Sequence, residues 1–408
     1  MHVVDSRSKT MTHLSQIRFS GLLSRVAKAR PFLGLIALGV GLLCGNQASA
    51  QSYTSLRLSE QNNELYYALN NIGQLAGSRV DNFNNTYALI TGPNGQGPNT
   101  LIMMQGSVLG SAINAHGQLV GMVDVGGTGL DLQAFVTGPQ GENPQLLGGL
   151  GGDITSPLGI NRAGLVVGRA RDSDNKFQAV QWLPNSSSAE RLATLGGSTS
   201  AAQAVNDQWL IVGTSGRSDG SNHAVIWGLN GAAITDLGTL GGRNSSALGI
   251  NTWAQVVGGS RVADGSLHAY ITAPGAVGMT DLGTLGWAHS RASYINDSGV
   301  VAGTLMTGTD AASYLDSHVF ITGPNGLGMV DLNSLVSVGE GLYLNDVWGL
   351  NDAGQLLVSD QNGLGYLLTP VPEAASSAML LAGLLMLALL ARQRRGYNRA
   401  RSLKSMQA

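Results

Sequence analysis

Three histidines and three aspartates recur at matching places in this 408-residue sequence: His223, His268 and His318, then Asp236, Asp281 and Asp331. Histidine and carboxylate together could hold a metal ion or move protons. Their repetition argues against both. A catalytic group is needed once, whereas a group present in successive copies of a repeat serves the copy. Equivalent places around a ring would also lie too far apart to share one ion at ~2 Å. The expectation is a hydrogen bond from each histidine within its own repeat, with no metal, no cofactor and no catalytic residue. No Gly-x-Ser-x-Gly, His-Glu-x-x-His or P-loop pattern occurs. Asp172-Ser173-Asp174-Asn175 opens like a calcium loop but lacks the glycine and closing glutamate, which leaves a solvated turn.

Tryptophan offers different chemistry, because a sugar ring can lay its C–H edge on an indole face. Trp182 and Trp227 share one position in adjacent repeats and read as packing between them. Trp209 and Trp253 fall in tight turns on one face, where an exposed aromatic is unusual unless it meets something. They are the first candidates for ligand contact. The sixth repeat carries two insertions of five residues, which place Asp310, Tyr314, Asp316, Glu340 and Tyr343 in longer loops on the opposite face. Loops that grow on one side of a regular scaffold are where binding tends to reside, so these five are further candidates.

The scaffold is a repeat. The pattern Ile-Asn-x-x-Gly-x-Val-Val-Gly recurs with its asparagine at Asn70, Asn114, Asn161, Asn206, Asn251, Asn296 and Asn351, at intervals of 44, 47, 45, 45, 45 and 55 residues. Periods near 45 with four short β-type runs describe a propeller blade. In the fifth copy the runs are 247–250, 255–258, 268–272 and 279–285. Asn-x-x-Gly joins the first two as a tight hairpin with a bulge, with Trp209 and Ala254 replacing the glycine in two copies. Segment 55–58 resembles a fourth strand and 365–368 a third one, so the N-terminus can complete the last repeat and cover its open edge. The expected fold is all-β, a seven-bladed β-propeller over residues 51–370, and monomeric.

Charge and the chain ends supply an address. Lys+Arg number 23 and Asp+Glu 25, but residues 51–373 hold 11 basic and 24 acidic residues, a net charge of −13. Such a body has no basic patch for nucleic acid. Cys44 is the single cysteine. A basic stretch, an apolar run and the sites Ala48 and Ala50 make residues 1–50 a secretory signal peptide, to be cut by signal peptidase. Residues 374–391 are apolar and long enough for a transmembrane helix, followed by Arg392, Arg394 and Arg395, which the positive-inside rule keeps cytoplasmic.

The order Pro372-Glu373, apolar helix and arginines resembles the PEP-CTERM sorting signal, although Ala374 stands where the second proline belongs. That resemblance implies an exosortase-like membrane protease as processing partner in a bacterium that makes extracellular polysaccharide. The Asp-Leu-Gly-Thr-Leu-Gly-Gly and His-Ala signatures over 55–370 resemble the HAF family of extracellular repeat proteins, which brings no established catalytic residues. The expected product is an exported, membrane-anchored precursor that matures to a cell-surface or extracellular form. It would bind extracellular polysaccharide or a protein partner and not act as an enzyme. A polysaccharide hydrolase or lyase with carboxylates in a central funnel is one alternative, a passive matrix protein another.

Overall fold

The structure is a computed structural model that describes residues 52–58, 63–127, 131–228, 231, 233–309 and 316–371, with Leu384 and Met386. Ala48, Ala50, Asp310, Tyr314, Pro372, Glu373, Arg392, Arg394 and Arg395 lie outside the described residues. So do the signal segment and, those two residues apart, the stretch 374–391. Among the described residues no helix is long and apolar enough to cross a membrane.

Between Ser52 and Val371 the described residues are β-strands joined by turns and short 3-10 segments. Each repeat lays its strands side by side in chain order as an antiparallel sheet. In the fifth repeat the strands are Gly241–Ile250, Val256–Val262, Leu267–Ala273 and Val277–Gly283. The first therefore begins six residues before the sequence suggested, and the fourth ends at Gly283 instead of Leu285. The cause is the Gly-Gly pair. Gly241 adopts φ +99° and pairs with Val262, after which the register shifts before Ser245 meets Ser260. Glycine's freedom lets an inter-repeat turn run directly into the next strand. In the last repeat Leu344–Leu350, Leu356–Asp360 and Gly365–Pro370 are joined by Tyr53–Arg57 from the N-terminus, in register from Tyr53 opposite Pro370 to Arg57 opposite Tyr366. Val371 N–H donates to the Ser52 carbonyl at 2.9 Å, so both ends of the body lie together beside the Gly354 turn.

One side chain organises each first hairpin. The Asn Oδ1 accepts the backbone N–H four residues on in all seven repeats, from Gln74, Gln118, Leu165, Leu210, Gln255, Val300 and Gln355. Its Nδ2 leaves the repeat altogether. Asn70 donates to the Asn114 carbonyl at 2.9 Å, and the series continues through Asn161, Asn206, Asn251 and Asn296 to Asn351. Asn351 donates to the Asn70 carbonyl at 3.1 Å, so the seven bonds return to their start. The fourth turn position requires positive φ. Trp209 (+64°) and Ala254 (+55°) adopt it without being glycine, a conformation that costs roughly 1–2 kcal/mol.

The core is split among seven clusters, each between neighbouring repeats, and one bulky third-strand residue fills most of them. Phe135, Trp182, Trp227, Tyr270, Phe320 and Tyr366 are all buried. The glycine of Val-Val-Gly makes this possible. Gly121, Gly258 and Gly303 stand directly opposite Phe135, Tyr270 and Phe320. A Cβ on Gly258 would sit 1.9 Å from the Ser246 carbonyl oxygen and 3.0 Å from the Tyr270 ring. The pattern glycine is a packing requirement. Leu58, Leu75, Leu357 and Leu367 form the cluster between the last repeat and the first.

Two substitutions test this account. Asn251→Asp keeps the Oδ1 acceptor but turns an oxygen toward the Asn296 carbonyl and Gln255 Oε1, and should cost about 1–3 kcal/mol in denaturant unfolding. Ala254→Gly relieves the left-handed backbone and should gain about 1 kcal/mol.

Candidate functional site

Residues at the ends of the first strands of all seven repeats line one cavity. The last residues of these strands, among them Leu69, Ile160, Val205, Ile250 and Ile295, make an apolar collar with a cavity on either side. On the asparagine side is a mouth of about 210 Å³. Its rim is the residue after each ring asparagine: Asn71, Ala115, Arg162, Asp207, Thr252, Asp297 and Asp352. The rim residues form a second, incomplete set of bonds between repeats. Arg162 N–H donates to Asp207 Oδ1 at 2.9 Å, Thr252 N–H to Asp297 at 2.9 Å, Asp297 N–H to Asp352 at 2.8 Å and Asp352 N–H to Asn71 at 3.1 Å. The set breaks where Ala115, Arg162 and Thr252 offer no carboxylate or amide oxygen. Three carboxylates thus meet at one opening. Asp352 keeps solvent contact, yet crowding by the neighbouring turns strips hydration and pushes its carboxyl above the ordinary 3.8; the charges of Asp297 and Asp207 add to this.

The two turn tryptophans part company. Trp253, two residues after its asparagine, stands 61% exposed on the mouth face. Its Nε1 donates to the Asp297 carbonyl of the next repeat at 3.0 Å, which fixes the indole. Trp209, three residues after Asn206, is half-buried against the cluster containing Leu165 and Trp227. An offset of one residue in the same turn decides between platform and packing. Trp182 and Trp227 are fully buried and donate across repeats, to the Gly148 carbonyl at 2.9 Å and the Ala193 carbonyl at 2.8 Å.

On the opposite face, Asp316 and Glu340 are exposed, while Tyr343 lies half-buried with its ring 5.1 Å from the His318 ring. Trp287 packs on the other side of that imidazole at 4.7 Å. Tyr343 is therefore part of a stack that holds the loop, and Ser317 Oγ links the two insertions through the Asn345 carbonyl at 2.8 Å. His223, His268 and His318 each bond a carboxylate of their own repeat, Asp236 at 2.8 Å, Asp281 at 2.8 Å and Asp331 at 2.6 Å. Among the described residues no three His, Cys, Asp or Glu side chains gather as a metal site. Asp172 Oδ1 accepts the N–H groups of Asp174 and Lys176, so its carboxylate caps its own turn. The mouth carboxylates Asp207, Asp297 and Asp352 did not stand out in the sequence. Their signal was there, as three Asn-Asp pairs at ring positions.

No protein-family model matches this chain, and no curated protein matches it in sequence. Among solved structures it is similar to YCF48 from Cyanidioschyzon merolae, with a TM-score of 0.50 at 10% identity over 77% of this chain and 98% of that one. Oligogalacturonate lyase from Vibrio parahaemolyticus aligns with a TM-score of 0.49 at 11% identity, over 80% of this chain and 98% of that one. A putative TolB from Agrobacterium tumefaciens gives 0.42 at 12% identity, over 57% and 88%. The fold is of the propeller type. At such identities the likeness is one of fold alone.

The raised Asp352 value makes a prediction about pH. Ionising this group in the folded state is disfavoured, so it lowers stability once pH rises through its folded value, and has no effect below 3.8. Asp352→Asn removes the charge but turns an amide nitrogen toward the Asn71 donor, so its melting temperature relative to the parent should rise as pH goes from below 3.8 to 7. A constant difference across pH would contradict the assignment.

Proposed function

We propose that this chain is a closed seven-bladed β-propeller, exported and presented at the cell surface, that binds extracellular polysaccharide without transforming it. Seven asparagine repeats and the pairing of Tyr53–Arg57 with Gly365–Pro370 support the closed ring. The PEP-CTERM-like order around Pro372 and Glu373 and the HAF-like repeats support export, with an exosortase-like protease as processing partner. Acid-rich composition over residues 51–373 suits a neutral or cation-bridged glycan better than nucleic acid.

One observation carries the binding reading. Trp253 is a large aromatic surface left 61% exposed yet fixed by its own hydrogen bond. A side chain already held in place loses little rotamer freedom when a ligand arrives, which leaves more of the stacking energy for affinity. Asp207 and Asp297 on the mouth rim supply acceptors for hydroxyl groups. The repeated His–Asp pairs support a non-enzymatic reading, because each serves its own sheet.

The test is binding of the purified protein to extracellular polysaccharide from a producing bacterium, by calorimetry. Trp253→Ala should weaken binding by about tenfold, the value of one good aromatic contact, with an unchanged circular dichroism spectrum. Equal binding by the folded variant would remove the platform. No binding by the parent protein would overturn the saccharide reading.

A further inference from the structure

The collar's far side opens into a basin of about 610 Å³, within the ~300–1,000 Å³ usual for small-molecule sites. Its lining departs from the repeat in one sector, seen by setting equivalent positions side by side. Five residues before the ring asparagine stand Leu65, Leu109, Ser156, Ala201 and Ser246, then Arg291 and Asp346. Two residues before it stand Ala68, Ala112, Gly159, Ala204, Gly249 and Gly349, with Tyr294 the one bulky member. That position is crowded elsewhere in the ring: a Cβ on Gly349 would lie 2.7 Å from the Leu69 side chain. Three departures from the pattern therefore fall in adjacent repeats six and seven and line one cavity.

The fold does not call for them. Five repeats build the same strand with leucine, alanine or serine, and placing a carboxylate and a guanidinium near the axis costs solvation. Burial raises the Asp346 carboxyl against the opposing pull of Arg291, and raises the Tyr294 hydroxyl as well, with the Asp346 charge adding to it. These three groups thus act on one another across the cavity wall. Trp348 completes the sector, half-buried, with its Nε1 on Ser359 Oγ at 3.2 Å and its ring edge-on to Tyr67 at 5.7 Å. The same tryptophan also lines a neighbouring cavity with Tyr66 and Glu64.

We propose that repeats six and seven form a second saccharide subsite in the basin, for a neutral hexopyranose. Asp346 and Arg291 present planar polar groups that match adjacent hydroxyls, Tyr294 supplies a further hydrogen bond, and Trp348 carries an apolar edge of the ring. The ligand class rests on the saccharide reading above; the location does not, since it is independent of Trp253 and lies beyond the collar from it.

The experiment is calorimetry on the full chain in detergent with glucose, galactose, mannose and glucuronate, beside the extracellular polysaccharide. At least one neutral hexose should bind, at least tenfold more weakly to Asp346→Asn and Tyr294→Phe, and unchanged to Trp253→Ala. Hexose binding that ignores both basin variants, or that falls only in Trp253→Ala, overturns the subsite. Polysaccharide bound through Trp253 with no hexose bound also overturns it and leaves the surface platform standing. Glucuronate binding alone overturns the neutral assignment. Absence of binding to every probe overturns both readings. Asp346→Asn is isosteric, and equal melting temperatures below pH 3.8, where the aspartate is protonated in both folded and unfolded chains, confirm that fold is not the cause.

Discussion

Each ring asparagine divides its amide between two tasks. The oxygen closes its own hairpin by accepting the N–H four residues ahead, and the nitrogen reaches the same asparagine's carbonyl in the next repeat. That carbonyl is used twice, since it also accepts the N–H of the fourth turn residue, as Asn206 does from Trp209. These amides are 2–6% exposed, so a missing partner would leave a buried polar group without compensation, at about 1–3 kcal/mol each. Turn shape and repeat spacing are thereby set by one side chain. The inter-repeat clusters need that spacing, because six of the seven hold one bulky aromatic between two sheets and the seventh is closed by leucines. A sequence with only 5% aromatics suffices, since it places one in the third strand of six repeats, three of them opposite glycine.

The outer edges are handled differently. Fourth strands are short in most repeats, as in Gln145–Leu146, Glu190–Arg191 and Val330–Asp331, and each ends against a turn. A two-residue edge offers little template for pairing with another chain. The longest strands, of up to ten residues, are by contrast the first strands of their repeats. Function can then vary at positions the axis does not use for its own bonds.

Much of this was legible in the residues. Asparagine spacing set the repeat, the like segments at either end foretold that 55–58 would pair with 365–368, and the aspartates found beside the histidines recur in step with them. Less legible were features that depend on departures from the repeat. Reading for what recurs passes over Tyr294 among alanines and glycines, and over Asp207, Asp297 and Asp352 behind their asparagines. The run expected at 247–250 left out Gly241 and Gly242; positive φ at Gly241 and a bulge carry them into the strand. Trp209 and Trp253 looked alike because they share a turn, and only the direction of successive side chains separates them.

The seam at Tyr53–Arg57 and Gly365–Pro370 has a mechanical consequence. The strands are antiparallel, and the chain enters at Tyr53 and leaves at Pro370 from the same end of the ladder. Tension between the two chain ends would peel this ladder one hydrogen bond at a time, starting from Tyr53, instead of shearing all its bonds together. The seam is weak under such a load and idle when only one end is held.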